Sequence, residues 1–424
     1  MPLELHMHRF RRALAAAIII GSGVTGPAFA QPSELIPHPD IEDRIVNAAL
    51  EHTGAPGPWG TLRTTRRRLV VPAATLATIK LPETGVWGFS GVTWAEIDAQ
   101  WQRAPLTTAE RKILTDPAIR RDDDPSGILL LDVPPDLRWS LSPTARTFIY
   151  DWLATFDINQ VHVWPFVLPA TDVIERAQLS PRLRDGIDRL AYERANRRCL
   201  ADPDLLVSLA WSAEELQSLK RLLCYAYTLT VELLRDSAVG RPDVIDYWSQ
   251  APADSTPTWW HALERSPELE SIDIAHFLPT LPQSLLNTFP DGKHCPIDAN
   301  CFWISLNFFR RETNDLLLPY AHDNDQSAEE AAAELTRYYD QVEAPYRFGD
   351  VLSFTVTTNA TTELAHMVVY LADDIVLTKN GAGHMSPFIL ARLEDVARDY
   401  AGARALHVQG HRPRPGSPAL PARR

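Results

Sequence analysis

Apolar residues recur along this chain in two rhythms, and the change between them maps out the expected elements. Behind Ser180-Pro181, the residues Ile187, Leu190 and Ala191 share one helical face, predicting a helix over 180–198 with proline in its first turn. Ser212-Ala213-Glu214-Glu215 reads as a capping box. It opens a helix predicted to reach Leu234, with Leu216, Leu219, Leu222, Leu223, Tyr227 and Val231 at helical spacing. Short apolar runs broken by Pro, Thr and Gly read instead as strands: Arg68 to Val71 and Leu76 to Ile79, and a further short apolar run spans Gly127 to Leu131. Towards the C-terminus the pattern predicts a helix opened by Cys301, an acidic helix from Glu329 to Tyr339, and a strand from Asp350 to Thr357. Strands His366 to Leu371 and Ile375 to Thr378 follow, joined as a hairpin by Ala372-Asp373-Asp374, and then a helix from Pro387 to Ala401.

These elements describe an α+β chain, and 424 residues are too many for one core. Residues 31–125 form an irregular region with strands, closed by the turn signal Asp122-Asp123-Asp124-Pro125. A mainly helical region, 126–275, ends in a linker carrying Trp248, Trp259 and Trp260. A third region spans 276–401, and the Pro-, Arg- and Gly-rich tail 402–424 is expected to be disordered.

Composition narrows the function classes. A formal charge of −13 with no basic stripe to offset it excludes nucleic acid as the expected partner, and Arg66-Arg67-Arg68 reads as a solvated patch. The 34 prolines imply a loop-rich chain, against a simple helical bundle. At the N-terminus, His6, His8, Arg9, Arg11 and Arg12 precede an apolar stretch from Ala13, and Pro27-Ala28-Phe29-Ala30 offers small residues for a signal peptidase. Residues 1–30 are therefore expected to be an export signal cleaved before Gln31, making the protein secreted or periplasmic. That apolar core is shorter than the roughly 20 residues a span needs, and no transmembrane segment is expected after signal removal. Oligomeric state is left open.

Four cysteines would then meet an oxidising compartment. Cys199 and Cys224, at the end of one predicted helix and inside the next, are placed either to staple a helical hairpin or to pack as two thiols. Cys295 and Cys301 stand close enough in sequence to pair as well, which would block Cys301 as a nucleophile.

Cys301 and His366 are the one constellation that names a reaction. A thiol at a helix start is acidified by the local backbone field, and an imidazole beside it can take its proton. His294, His322 and His384 are alternative bases, but none begins a comparable strand. No close-set His, Cys, Asp and Glu cluster has zinc spacing and no glycine-rich phosphate loop follows a strand, so no metal or cofactor is expected.

The series Asn300-Cys301-Phe302-Trp303, then Phe348-Gly349-Asp350-Val351-Leu352-Ser353-Phe354, then His366-Met367-Val368-Val369-Tyr370-Leu371-Ala372-Asp373-Asp374 resembles the NlpC-type family of papain-like cysteine peptidases. The resemblance covers about residues 280–400 and implies a papain-like helix-plus-antiparallel-sheet domain. It implies Cys301 as nucleophile, His366 as base, and Gly349-Asp350 as a structural turn. The residue that orients the imidazole would sit about twelve beyond the histidine, at Thr378, with Asn380 as a substitute. By the same resemblance the protein is an exported cysteine hydrolase cleaving an amide in peptide or peptidoglycan-type substrates. Bulky Phe302 and Trp303 replace the family's small residues, and the acidic helix looks like an insertion, so substrate choice would differ. Alternatives are a catalytically inactive papain-fold scaffold or binding protein of the cell envelope, or a thiol acyltransferase.

Overall fold

Tyr225, Tyr227, Leu229, Val231 and Leu233 alternate with their neighbours, and they form a ten-residue strand, not the second half of a helix. The helix opened by Ser212 spans only Ala213–Leu223. This difference reorganises the chain, because strand Tyr225–Leu234 pairs antiparallel with Leu62–Val70 from far upstream. The computed structural model describes residues 51–122, 127–156, 158–194, 197–249, 256–290, 295–296, 298–310, 317–318, 324–357, 362–381, 386–401 and 405–420. The expected signal (1–30) and His294, His322 and His384 lie outside the described residues. So does most of the turn at 122–125.

The architecture is α+β, and every strand pairing within the sheets is antiparallel. Two units replace the three expected regions: residues 79–223 form one, and 51–78 with 224–420 form the other. The boundary at 125 dissolves, because Leu129–Asp132 pairs with both Val86–Phe89 and Arg120–Arg121 in one three-stranded sheet.

In the unit of residues 79–223, Thr93 and Thr107 cap the helices Trp94–Arg103 and Thr108–Leu114 with full capping boxes. Ser180 caps a helix that ends at Leu190, well short of Arg198. Beyond it, Tyr192–Arg194 and Arg197–Leu200 pair as short strands. The box expected at Ser212 is half formed. Ser212 Oγ accepts the Glu215 amide at 3.1 Å, while the Glu215 carboxylate accepts the amides of Trp211 and Ser180 instead. The core is aromatic, with Trp87, Trp101, Tyr150 and Phe89 fully buried.

The second unit holds two sheets. In chain order its strands are β1 (Glu51–Thr53), β2 (Leu62–Val70), β3 (Tyr225–Leu234) and β4 (Ser271–Asp273). Then come β5 (Tyr339–Val342), β6 (Val351–Thr357), β7 (Thr362–Ala372), β8 (Ile375–Thr378), β9 (Ile389–Arg392) and β10 (Ala405–Pro413). The first four make one sheet in that order, and the rest form a six-stranded sheet ordered β5-β10-β6-β7-β8-β9. Three helices matter to the site: α1 (Cys301–Leu306), α2 (Asn324–Tyr338) and α3 (Leu393–Ala401).

Several expectations change here. Leu76 to Ile79 lies not in a strand but at a short helix, Ala73–Thr78, whose Leu76 amide bonds to Pro72 O. The helix expected from Pro387 begins only at Leu393, after β9. The tail expected to be disordered supplies β10, which lies between β5 and β6. Its Ala-Leu-His-Val-Gln run carries the alternation, hidden in a Pro- and Arg-rich context. The Trp-rich segment is no linker: Trp248 and Trp260 are buried in this unit's core, and Trp248 packs on Tyr247, Phe277 and Phe348. The β7–β8 hairpin forms as expected. Asp373 and Asp374 both adopt left-handed conformations, φ 49° and 59°, as a two-residue turn that follows the sheet's twist requires.

Candidate active site

Helix α1 is short and buried on every side, so its start is fixed by packing as much as by its cap. Asn300 Oδ1 accepts the Trp303 amide at 3.0 Å, leaving the first two amides of the helix free of that cap. They lie against the Cys301 sulfur, as does the Met367 amide of β7. Burial is the stronger influence, and it pushes the thiol up to about 11 despite those amides and the nearby Lys379 charge.

Met367 is the neighbour of His366 on β7, so the sulfur rests against the backbone next to His366, while the Met367 and His366 side chains point to opposite faces of the strand. His366 does not open the strand, as expected, but lies within it, opposite Phe354. Its ring is fully buried and stacks on Tyr400 of α3, with centroids 4.0 Å apart and planes 17° apart. Burial alone holds it down to about 3, so it is neutral at ordinary pH. Nε2 meets Thr378 Oγ1 at 2.8 Å, while Nδ1 is buried without a hydrogen-bond partner.

The structure therefore joins His366 to Thr378, the residue at the expected interval, and places Cys301 against the next residue's amide. No hydrogen bond links the sulfur to the imidazole. Asn380 does not reach the ring: β8 ends at Thr378, and Asn380 Oδ1 is buried without a partner. The Asn300 amide nitrogen is likewise buried and unpartnered beside Cys301.

Gly349-Asp350 is structural, and for two reasons. Gly349 has φ 85°, and a Cβ there would come within 2.2 Å of the Phe309 ring. Asp350 accepts the Arg347 amide at 2.8 Å and a bidentate bond from Arg412 of β10 at 2.8 and 2.6 Å. The arginine lies in the tail expected to be disordered, so sequence reasoning had no means to pair them.

Two neighbours were missed. Tyr400 supports the imidazole from α3, whose period was legible but whose docking was not. Lys379, the residue after Thr378, is the other. A lysine directly continuing the apolar run Ile375-Val376-Leu377 was the available signal, since an ammonium is rarely buried without a purpose.

All four cysteines are buried thiols and no disulfide joins any two. Of the two alternatives for Cys199 and Cys224, the structure has buried thiols and no stapled helical hairpin, because Cys199 lies on strand Arg197–Leu200 and Cys224 just before β3. Among the described residues no three His, Cys, Asp or Glu side chains are grouped to hold a metal ion, and no helix is long and apolar enough to cross a membrane. No family model, curated protein or solved structure matches this chain.

Proposed function

We propose that this protein is an exported, NlpC-like cysteine hydrolase that cleaves an amide bond, with peptidoglycan stem peptides as the substrate class. The observation that carries the reading is the state of His366: Thr378 holds Nε2 at 2.8 Å while Nδ1 stays open beside the strand residue that touches the sulfur. A nucleophile–base pair needs that arrangement, with one ring nitrogen fixed and the other lone pair ready for the thiol proton.

The chemistry follows from these positions. With Nε2–H donated to Thr378, Nδ1 takes the Cys301 proton as the sulfur attacks the amide carbonyl. The Cys301 amide and the Asn300 side-chain nitrogen are the available donors for the oxyanion. The imidazolium returns its proton to the leaving amine, a thioester remains on Cys301, and water then releases the acid. In the resting structure both groups are buried and neutral, so substrate must open the site before the proton moves.

A second reading has its own support. Cys301 and His366 are almost wholly buried and not hydrogen-bonded to each other, as in a papain-like scaffold that only binds. Release of new amino groups from purified cell wall separates the two. The hydrolase reading expects release by the wild type and loss of at least about a thousandfold in Cys301→Ala. Equal release by both proteins, or none by either, leaves the scaffold.

A further inference from the structure

The three consecutive arginines that read as a solvated patch do not stand alike in solvent. Side chains alternate along β2, so Arg66 and Arg68 share one face with Val70, while Arg67 lies on the other and is exposed. Strand β3 pairs so that Arg66 stands opposite Leu229, Arg68 opposite Tyr227 and Val70 opposite Tyr225, which puts both tyrosines on the face of the two arginines. The Arg66 guanidinium lies over the Tyr227 ring, 4.0 Å from its centroid, and that of Arg68 over the Tyr225 ring at 4.5 Å. The two rings meet edge to face with centroids 5.3 Å apart. All four side chains are half-buried.

A guanidinium stacked on a ring loses freedom before any partner arrives, and its planar fork is held ready for two parallel hydrogen bonds to a phosphate. Arg63, earlier on the same strand, already has a carboxylate, Glu232 at 2.8 Å. Among the described residues no carboxylate pairs with Arg66, whose charge is met by the Tyr227 ring. Arg66 and Arg68 stand about 7 Å apart along a straight strand, which suits a chain carrying phosphate repeatedly better than a single ion. The arginines occupy the tyrosine faces that a nucleic-acid base would need for stacking. Among the described residues of β2 and β3, Val70 is the one large hydrophobic side chain that stands well exposed, too little apolar surface to insert into a membrane.

We propose that this face of β2 and β3 binds a linear phosphate polymer that lacks bases, laid along β2, with Arg66 and Arg68 each holding a phosphate and Tyr227 and Tyr225 fixing their forks. The formal charge of −13 repels a polyanion elsewhere on the molecule, which confines it to this patch. The inference does not depend on the hydrolase reading.

The test is calorimetric titration of the protein with soluble polyphosphate over a range of salt concentrations. The wild type should bind with an affinity that falls with salt, log K against log salt sloping at about −1.4 for two phosphate contacts. Arg66→Gln and Arg68→Gln should each weaken binding about tenfold and halve that slope. Arg67→Gln, on the opposite face, should change it by less than about twofold. Tyr227→Leu, which keeps both charges, should cost about two- to fivefold, and Tyr227→Phe should match the wild type. No binding by the wild type, or an equal loss in Arg67→Gln and Arg66→Gln, overturns the proposal. Should the arginine variants not fold, the wild-type slope decides, and a slope near zero overturns it. Binding to phosphatidylglycerol vesicles but not to polyphosphate would assign the surface to a membrane, and tighter binding to an oligothymidylate than to polyphosphate of equal charge would assign it to nucleic acid; either result overturns the proposal.

Discussion

His162, in the unit of residues 79–223, and His366, in the other, are both buried and both held down to about 3, yet their company differs. Burial is the main cause for each. Around His162 the positive charges of Arg138 and Arg194 add to it, and its ring packs edge-on against Tyr150 and Trp87. Its Nε2 is buried without a hydrogen-bond partner, as His366 Nδ1 is, and the ring lies beside a structural network that it touches through Tyr150. Asp202, wholly buried, takes Arg138 at 3.2 Å, Arg146 at 3.7 Å and the Tyr150 hydroxyl at 2.5 Å. Asp204 takes Arg138 at 2.8 Å, and Thr84 bridges the two carboxylates. His366 has no such cations among the causes of its shift; what sets it apart is the hydroxyl of Thr378 on one nitrogen and a tyrosine stacked on its ring. A depressed imidazole is therefore no mark of a site by itself. What surrounds the ring decides.

The comparison breaks most visibly at Asp202. Asp202→Ala leaves the buried Arg146 without its carboxylate, Arg138 keeping Asp204, and should cost about 3–5 kcal/mol, read as a shift in the urea midpoint followed by tryptophan fluorescence. A loss below about 1 kcal/mol would mean that the network is no stronger than a surface pair. The acid slope comes next. Both histidines are neutral when folded and take up protons near 6.5 when unfolded. Stability is therefore intact above about 6.5 and falls with pH down to about 3, by about 1.4 kcal/mol per unit for each ring. His366→Phe should remove one such contribution, and unfolding curves at pH 6.5 and 5.5 would show whether the slope flattens. The smallest change in stability is expected for Thr378→Val, about 1 kcal/mol for one hydrogen bond. The same variant should cut hydrolysis by about ten- to a hundredfold, because the imidazole loses its fixed tautomer. Equal activity in that variant would move Thr378 to the structural side of the comparison.

Much of the site was legible because its signals are local. Asn300 before an apolar helix, two acidic residues between strands, and the interval from His366 to Thr378 each depend on few neighbours. The fold was less so. Leu216, Leu219, Leu222, Leu223, Tyr227 and Val231 satisfy a helical period, while Tyr225 to Leu233 satisfy a strand period through the same residues, and only the pairing of β3 with distant β2 decides. Lys379 and Tyr400 were missed for a related reason: each acquires its role from an element brought in by tertiary packing. The tail is the clearest case. Its Pro, Arg and Gly content suggests disorder, yet a strand flanked on both sides borrows its stability from partners that composition cannot reveal.

The position of β10 has a consequence for the order of synthesis. A ribosome delivers Cys301, His366 and Thr378 before the strand that fills the sheet between β5 and β6, and Arg412 on that strand clamps Asp350 at the start of β6. Until β10 emerges, the nascent sheet has two open edges where one strand is missing, and the turn before β6 is unclamped. Cys301, His366 and Thr378 therefore reach their final setting only after β10 has been made, so a strand downstream of them in the chain delays the completion of their surroundings.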